Sequence, residues 1–203
     1  MCRLLAYLGQ PALLAEVVLW PDRSIIIQSF DARERKRDPN LPQHVGFGNL
    51  NGDGFGIGWF GEQGTDDRKP CVFTSVTPAW NNENLNRLSE KIISPLMFAH
   101  VRAAYPGMPV SEQNCHPFQF NHYLWMHNGV IAGFVKVRRK LASLLSDEAF
   151  NAVPSLLNSD SAMAFALFLN HLPDLEANLP SKTLLEAIEA TVAAICRVTD
   201  EAG

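Results

Sequence analysis

The chain has 203 residues, 47% hydrophobic and 19% charged, with a formal net charge of −4. That composition belongs to a globular protein able to bury a sizeable core in one domain, and it excludes the broad basic footprint of a nucleic-acid binder. Four cysteines (Cys2, Cys71, Cys115, Cys196) lie far apart with no CxxC pair and no secretory signal, so reduced thiols in a cytoplasmic protein are the expectation.

The chain begins Met1-Cys2-Arg3 and continues with Leu4-Leu5-Ala6-Tyr7-Leu8-Gly9. Residues 3–9 predict a buried first strand, too short for a signal or membrane segment. No other stretch reaches a membrane-spanning length. Once Met1 is removed, Cys2 carries a thiol beside a free α-amine, an amine that can accept the thiol proton and return it to a leaving group. The strand would hold this chain end rigid, since free termini fray. The alternative is a chance cysteine packed as a small hydrophobe.

Residues 11–16 read as a loop with a helical turn, and residues 24–29 as either a strand or a short helix. The charge-dense residues 31–40 read as an exposed loop, a candidate lid or partner surface. Asn51-Gly52 and Asp53-Gly54 are turn dipeptides that open a strand in which Phe55, Ile57 and Trp59 alternate with Gly56 and Gly58. Its bare face lets a second backbone or a ligand approach. The glycines lead into aromatic strand residues rather than a helix, against a dinucleotide fingerprint.

Residues 71–76 predict the next strand, 77–82 a loop capping a helix over 83–93, and 96–101 a strand that delivers His100 and Arg102. The loop from 103 to 117 ends in Cys115-His116-Pro117-Phe118. Residues 123–126 read as a short buried strand, with His127-Asn128-Gly129 the turn at its end. Helices are expected over 134–145, over 162–172 behind the cap cluster Asn158-Ser159-Asp160-Ser161, and over 182–198. The last has Leu184, Leu185, Ile188, Val192 and Ile195 on one stripe. The basic run at 136–140 reads as a solvated helix face.

Arg102, Asn128-Gly129 and Asp160 thus stand at the ends of predicted elements. Singly, each has a plain structural explanation: an ion pair, a hairpin turn and a helix cap. With an N-terminal cysteine they meet one chemical requirement. Arginine binds a carboxylate bidentately, aspartate binds an ammonium, and an asparagine amide with the next backbone N–H can hold an oxyanion. A γ-glutamyl amide presents all three groups. Histidines 100, 116, 122 and 127 with Cys115 match no standard zinc spacing, so neither metal nor cofactor is expected.

In Met1-Cys2, Asn51-Gly52-Asp53-Gly54-Phe55-Gly56, Phe98-Ala99-His100-Val101-Arg102, Cys115-His116-Pro117-Phe118, His127-Asn128-Gly129 and Ser159-Asp160-Ser161, taken in order, the chain resembles the class II (N-terminal nucleophile) glutamine amidotransferases. Stretches 24–31 and 77–82 are similar to the amidotransferase-type subunits of cytosolic glutathione-degrading complexes. The bacterial γ-glutamate-removing enzymes of ergothioneine synthesis are more distant. The resemblance implies an α+β fold, a four-layer αββα sandwich with two antiparallel sheets between helices, as a single domain over 2–203. It implies Cys2 as nucleophile, Asn128 and Gly129 as oxyanion hole, Arg102 on the substrate α-carboxylate and Asp160 on its α-ammonium. Asp53 and His116 would line the pocket.

The implied activity is hydrolysis of a γ-glutamyl amide through a thioester, with glutathione the leading substrate and a larger peptidase-like subunit as partner. A glutaminase subunit feeding ammonia to a separate synthase is the second reading, and a non-catalytic assembly subunit the third. Two departures stand out: Ala162 occupies a position where many members carry an acidic residue, and relatives continue beyond Gly203. The second predicts a truncated product with an unpaired sheet edge.

Overall fold

The computed structural model describes residues 2–32, 50–61, 69–104 and 108–202. The charge-dense stretch 31–40 therefore lies outside the described residues except for Asp31 and Ala32, as do Gly48, Asn49 and residues 105–107 of the loop before Cys115. The chain forms two compact units, Met1–Asn128 and Gly129–Gly203.

The first unit is built on a four-stranded antiparallel sheet of β1 (Arg3–Leu13), β2 (Phe55–Trp59), β3 (Cys71–Ser75) and β4 (Ile93–Val101), in the order β1-β4-β2-β3. Period-two alternation sorts its side chains onto two faces. Phe55, Ile57, Met97, Ala99 and Val101 lie on one face and form the core with Leu14 and Val18 of α1 (Leu14–Val18), Ile25 of α2 (Ile25–Phe30) and Leu85 of α3 (Glu83–Ser89). Residues 24–29, undecided by periodicity, are helical because the Ser24 hydroxyl caps them, accepting from the Ile27 N–H at 3.2 Å. Asn82 caps α3 in the same way, accepting from Leu85 N–H at 2.8 Å. α3 stops at Ser89, short of the predicted 93, because Ile93 pairs with Leu13 and joins β4.

The other face of β2 is the bare one, and a backbone is what approaches it. A Cβ on Gly56 would collide with the carbonyl oxygen of His116; one on Gly58 would meet Pro117 Cγ at 2.8 Å and Leu124 Cδ1 at 2.9 Å. Those residues belong to a two-stranded antiparallel ribbon, β5 (Phe118–Phe120) and β6 (Tyr123–Trp125), and the segment leading into it. Two antiparallel sheets with helices make the α+β architecture the sequence implies.

β1 departs from the buried strand expected there. Leu5 and Tyr7 pack on the core, but Leu4 is 46% and Leu8 82% exposed. β1 is an edge strand, bonded among the described residues to β4 alone.

The second unit is helical: α4 (Phe134–Ala142), α5 (Asp147–Ala152), α6 (Asp160–Asn170) and α7 (Ser181–Asp200). α6 is buried from Asp160 through Leu169, a core helix apolar all round. Val137 and Leu141 of α4 turn inward and leave Lys136, Arg139 and Lys140 exposed, the solvated face expected of the basic run. α7 buries Ala187, Thr191, Ala194 and Val198, whereas Leu185, Ile188 and Val192 of the predicted stripe are exposed. No helix among the described residues is long and apolar enough to cross a membrane.

Candidate active site

β4 ends at Val101, and the three residues after it form the floor of the candidate site. The β2–β4 pairing extends one step further, with Arg102 N–H donating to Gly54 O at 2.8 Å and Asp53 N–H to Arg102 O at 3.1 Å. The Asp53 carboxylate then accepts from Ala104 N–H at 2.8 Å and braces the same segment. Between these braces Ala103 faces Cys2: its N–H donates to the cysteine sulfur at 3.3 Å, and its carbonyl lies 3.6 Å from that sulfur. Asn128 reaches the same residue, its side-chain N–H donating to Cys2 O at 3.0 Å. Cys2, Asp53, Arg102 and Asn128, widely separated in sequence, are thereby gathered around one short segment. The Asn128-Gly129 pair is not the hairpin turn that one reading allowed, because no strand follows it.

Arg102 is 5% exposed. Its guanidinium donates to two backbone carbonyls, Asp53 O at 3.4 Å and Pro109 O at 3.1 Å. The ion pairs Arg23–Asp31, Arg87–Glu83, Lys140–Glu201 and Lys182–Glu186 do not use Arg102, and among the described residues its acceptors are neutral. A buried cation so held is unfavourable until an anion joins it. Its planar fork suits a carboxylate.

Next to Arg102 in sequence and pairing, the rings are closely packed. His100 is fully buried and His116 5% exposed, their ring centroids 4.3 Å apart, and the His116 ring continues onto Phe118 at 4.4 Å. Burial, and then the Arg102 charge, lowers His100 to about 3. Burial and the His100 ring hold His116 well below the ordinary range. His116, expected to line the pocket, thus has its ring packed between two others. Cys115 is a second thiol of a different kind. It lies 3.6 Å from Ser75 O and from Ser111 O and against Gly54, whose φ of +108° suits only glycine; burial raises its pKa to about 11. A thiol so held stays protonated and unreactive. Among the described residues no three His, Cys, Asp or Glu side chains converge as a metal site would need.

In the second unit, Ser159 caps α6 by accepting from Ala162 N–H at 3.3 Å. Asp160 is therefore the first helical residue, not the cap, and its carboxylate has another use. It is 8% exposed and accepts from Ile131 N–H at 3.0 Å and from Ser161 N–H at 2.8 Å, at a helix end that favours negative charge. Gly129 opens this unit as an exposed bend. One contributor escaped the sequence, the Ala103 N–H, a backbone group without a signature; His100 was seen there beside Arg102 but given no role at the site.

A family model, glutamine amidotransferases class-II, matches residues 40–203. The "Probable glutamine amidotransferase DUG3" of Saccharomyces cerevisiae is 44% identical over 177 residues, covering 86% of this chain and 46% of its own length. The gamma-glutamyl-hercynylcysteine sulfoxide hydrolase of Mycolicibacterium smegmatis is 32% identical over 131 residues, 64% of this chain and 52% of that protein. A solved glutamine aminotransferase class-II domain protein from Silicibacter pomeroyi superposes with a TM-score of 0.58 at 25% identity, covering 93% of this chain and 62% of that one. The chain thus spans about half the length of the curated relatives it matches. With a family match running through both units and the likeness to a solved class II domain, the chain belongs to the class II glutamine amidotransferases.

Proposed function

We propose that this protein hydrolyses γ-glutamyl amides with Cys2, freed of Met1, as nucleophile. The observation that carries the proposal is Arg102: a buried cation without an ion pair among the described residues, one residue from the backbone N–H that touches the Cys2 sulfur. Such a cation receives the substrate α-carboxylate, and Asp160 receives the α-ammonium. The Cys2 α-amine takes the thiol proton as sulfur attacks the γ-carbonyl, and the Asn128 amide with Gly129 N–H stabilises the oxyanion. The amine returns the proton to the departing nitrogen, the C–N bond breaks, and a glutamyl thioester remains. Water adds to that thioester with the same amine as base, releasing glutamate and the thiol. Asp53 holds the floor beneath the sulfur. The family match over residues 40–203, which enters both units, is the support for reading 2–203 as one domain.

Glutathione is the proposed substrate, with glutamate and cysteinylglycine as products, in the cytoplasm and with a larger peptidase-like protein as partner. Glutamine is the second reading, favoured by the name of the yeast relative. The deciding experiment incubates the protein, verified by intact mass to lack Met1, with glutathione, glutamine and γ-glutamyl-p-nitroanilide, and with Cys2→Ala as control. Glutamate from glutathione in excess of glutamine supports the first reading, and the reverse order the second. No glutamate from any of the three would overturn both.

A further inference from the structure

The proposed chemistry makes no use of the two histidines stacked behind Arg102. Among the described residues, neither ring nitrogen of His100 or of His116 has a hydrogen-bond partner of normal geometry. An apolar ring of the same shape would avoid leaving such atoms unpartnered, so packing alone does not account for imidazole here.

Their surroundings suggest what does. His100 lies near the end of β4, and Arg102, one residue past that end, still pairs with the Asp53–Gly54 backbone; period-two alternation puts the two residues on one side. His100 sits opposite Leu4 of β1 and Gly56 of β2, neither of which titrates. The His116 carbonyl lies on Gly56, which docks the 109–116 segment against the sheet. From that segment the Pro109 carbonyl accepts from Arg102 at 3.1 Å and from Asn114 at 3.2 Å. On the remaining side is His127, whose backbone approaches His100 and whose neighbour Asn128 donates to Cys2. The charged or titratable groups facing His100 are therefore Arg102, His116 and His127.

We infer that His100, backed by the His116 ring, is a positioning residue that sets the Arg102 guanidinium relative to the 109–116 segment and the His127–Asn128 turn. A neutral imidazole suits this place. It offers a lone pair and an N–H in either tautomer, and its neutrality avoids a second cation beside Arg102. The inference rests on the proposal that Arg102 receives a carboxylate, but the orientation of the guanidinium is measurable without turnover.

The test compares wild type, His100→Phe, which keeps a buried ring without nitrogens, and His100→Gln, which keeps polar atoms. His100→Leu replaces the phenyl variant if that ring does not fit. In arginine side-chain 15N spectra, with the Arg102 Nε–H signal assigned through Arg102→Lys, the apolar variant is expected to shift or broaden that signal while the melting temperature holds. KM for γ-glutamyl-p-nitroanilide is expected to rise about tenfold with kcat within about twofold, and His100→Gln to recover most of the loss. Inhibition by glutamate weakens in the apolar variant, but inhibition by 4-aminobutyrate, which lacks the α-carboxylate, does not. An unchanged Arg102 signal in a folded apolar variant overturns the inference. If wild type hydrolyses no γ-glutamyl compound, the substrate proposal falls alone, and the Arg102 signal still decides the role of His100.

Discussion

The backbone N–H of Ala103 points at the sulfur of Cys2 from 3.3 Å. Ala103 follows Arg102 directly, so the group that touches the proposed nucleophile and the group that would hold the substrate carboxylate share one stretch of backbone. Cys2→Ala is expected to lower glutamate release at least about a thousandfold, with the melting temperature unchanged. Cys115→Ala, which removes the buried thiol, leaves turnover within about threefold. Coupled assay of glutamate on both variants checks the contrast.

Arg102→Lys keeps the charge but loses the fork, and its KM is expected to rise about tenfold to a hundredfold. Arg102→Met goes further and removes carboxylate recognition. Because the native cation is buried without a counter-ion among the described residues, that variant should stay within about 2 °C of the wild-type melting temperature. Steady-state kinetics and a thermal melt on the same preparation test the pair of claims.

Asp160→Ala leaves the Ile131 N–H buried without its acceptor, at a cost of about 1–3 kcal/mol in urea unfolding. Asp160→Asn keeps an acceptor oxygen and most of the stability. It loses the charge, so KM for γ-glutamyl-p-nitroanilide rises while the unfolding midpoint moves little.

Two glycines should respond unequally to the same methyl group. At Gly56 the methyl meets the carbonyl of His116, a rigid neighbour, and the expected loss is about 3 kcal/mol or more. At Gly133, with φ of +61° and open space around it, only backbone strain remains, about 1 kcal/mol. Urea midpoints of Gly56→Ala and Gly133→Ala measure the difference.

Acid should destabilise the fold through His100. Its pKa is about 3 when folded against 6.5 ordinarily, so between those values the unfolded chain binds a proton that the folded chain refuses. Stability is therefore retained above pH 6.5 and lost as pH falls below it, by about 2 kcal/mol at pH 5 from this one ring. His116 acts in the same direction. Unfolding midpoints at pH 7.5, 6 and 5 should show the slope, and His100→Phe should flatten it.

What was legible in the sequence was local. The alternation of Phe55, Ile57 and Trp59 with glycines announced β2 and its bare face, and Ser159 with Asp160 announced the start of α6. What was hidden depended on distant partners. Ile93 reads as the end of a helix until Leu13 is there to pair with it. β5, three residues long, carries too little pattern to register, and the six-residue α5 rests on one cap, Ser146 to Ala149 N–H at 3.2 Å. The stripe on α7 misled for a different reason: periodicity marks large aliphatic residues, but close helix packing chose Ala187, Thr191 and Ala194 for the contact. At the site, side chains were readable and main-chain groups were not.

The β1–β4 ladder starts at Arg3, so the chain is pinned at the residue next to Cys2. Anything fused ahead of it, whether purification tag or cloning scar, would be delivered beside the sulfur and would cap the amine that the proposed chemistry uses. Expression plasmids for this protein therefore need their appendages downstream, and an assay on a front-tagged preparation reports on the tag.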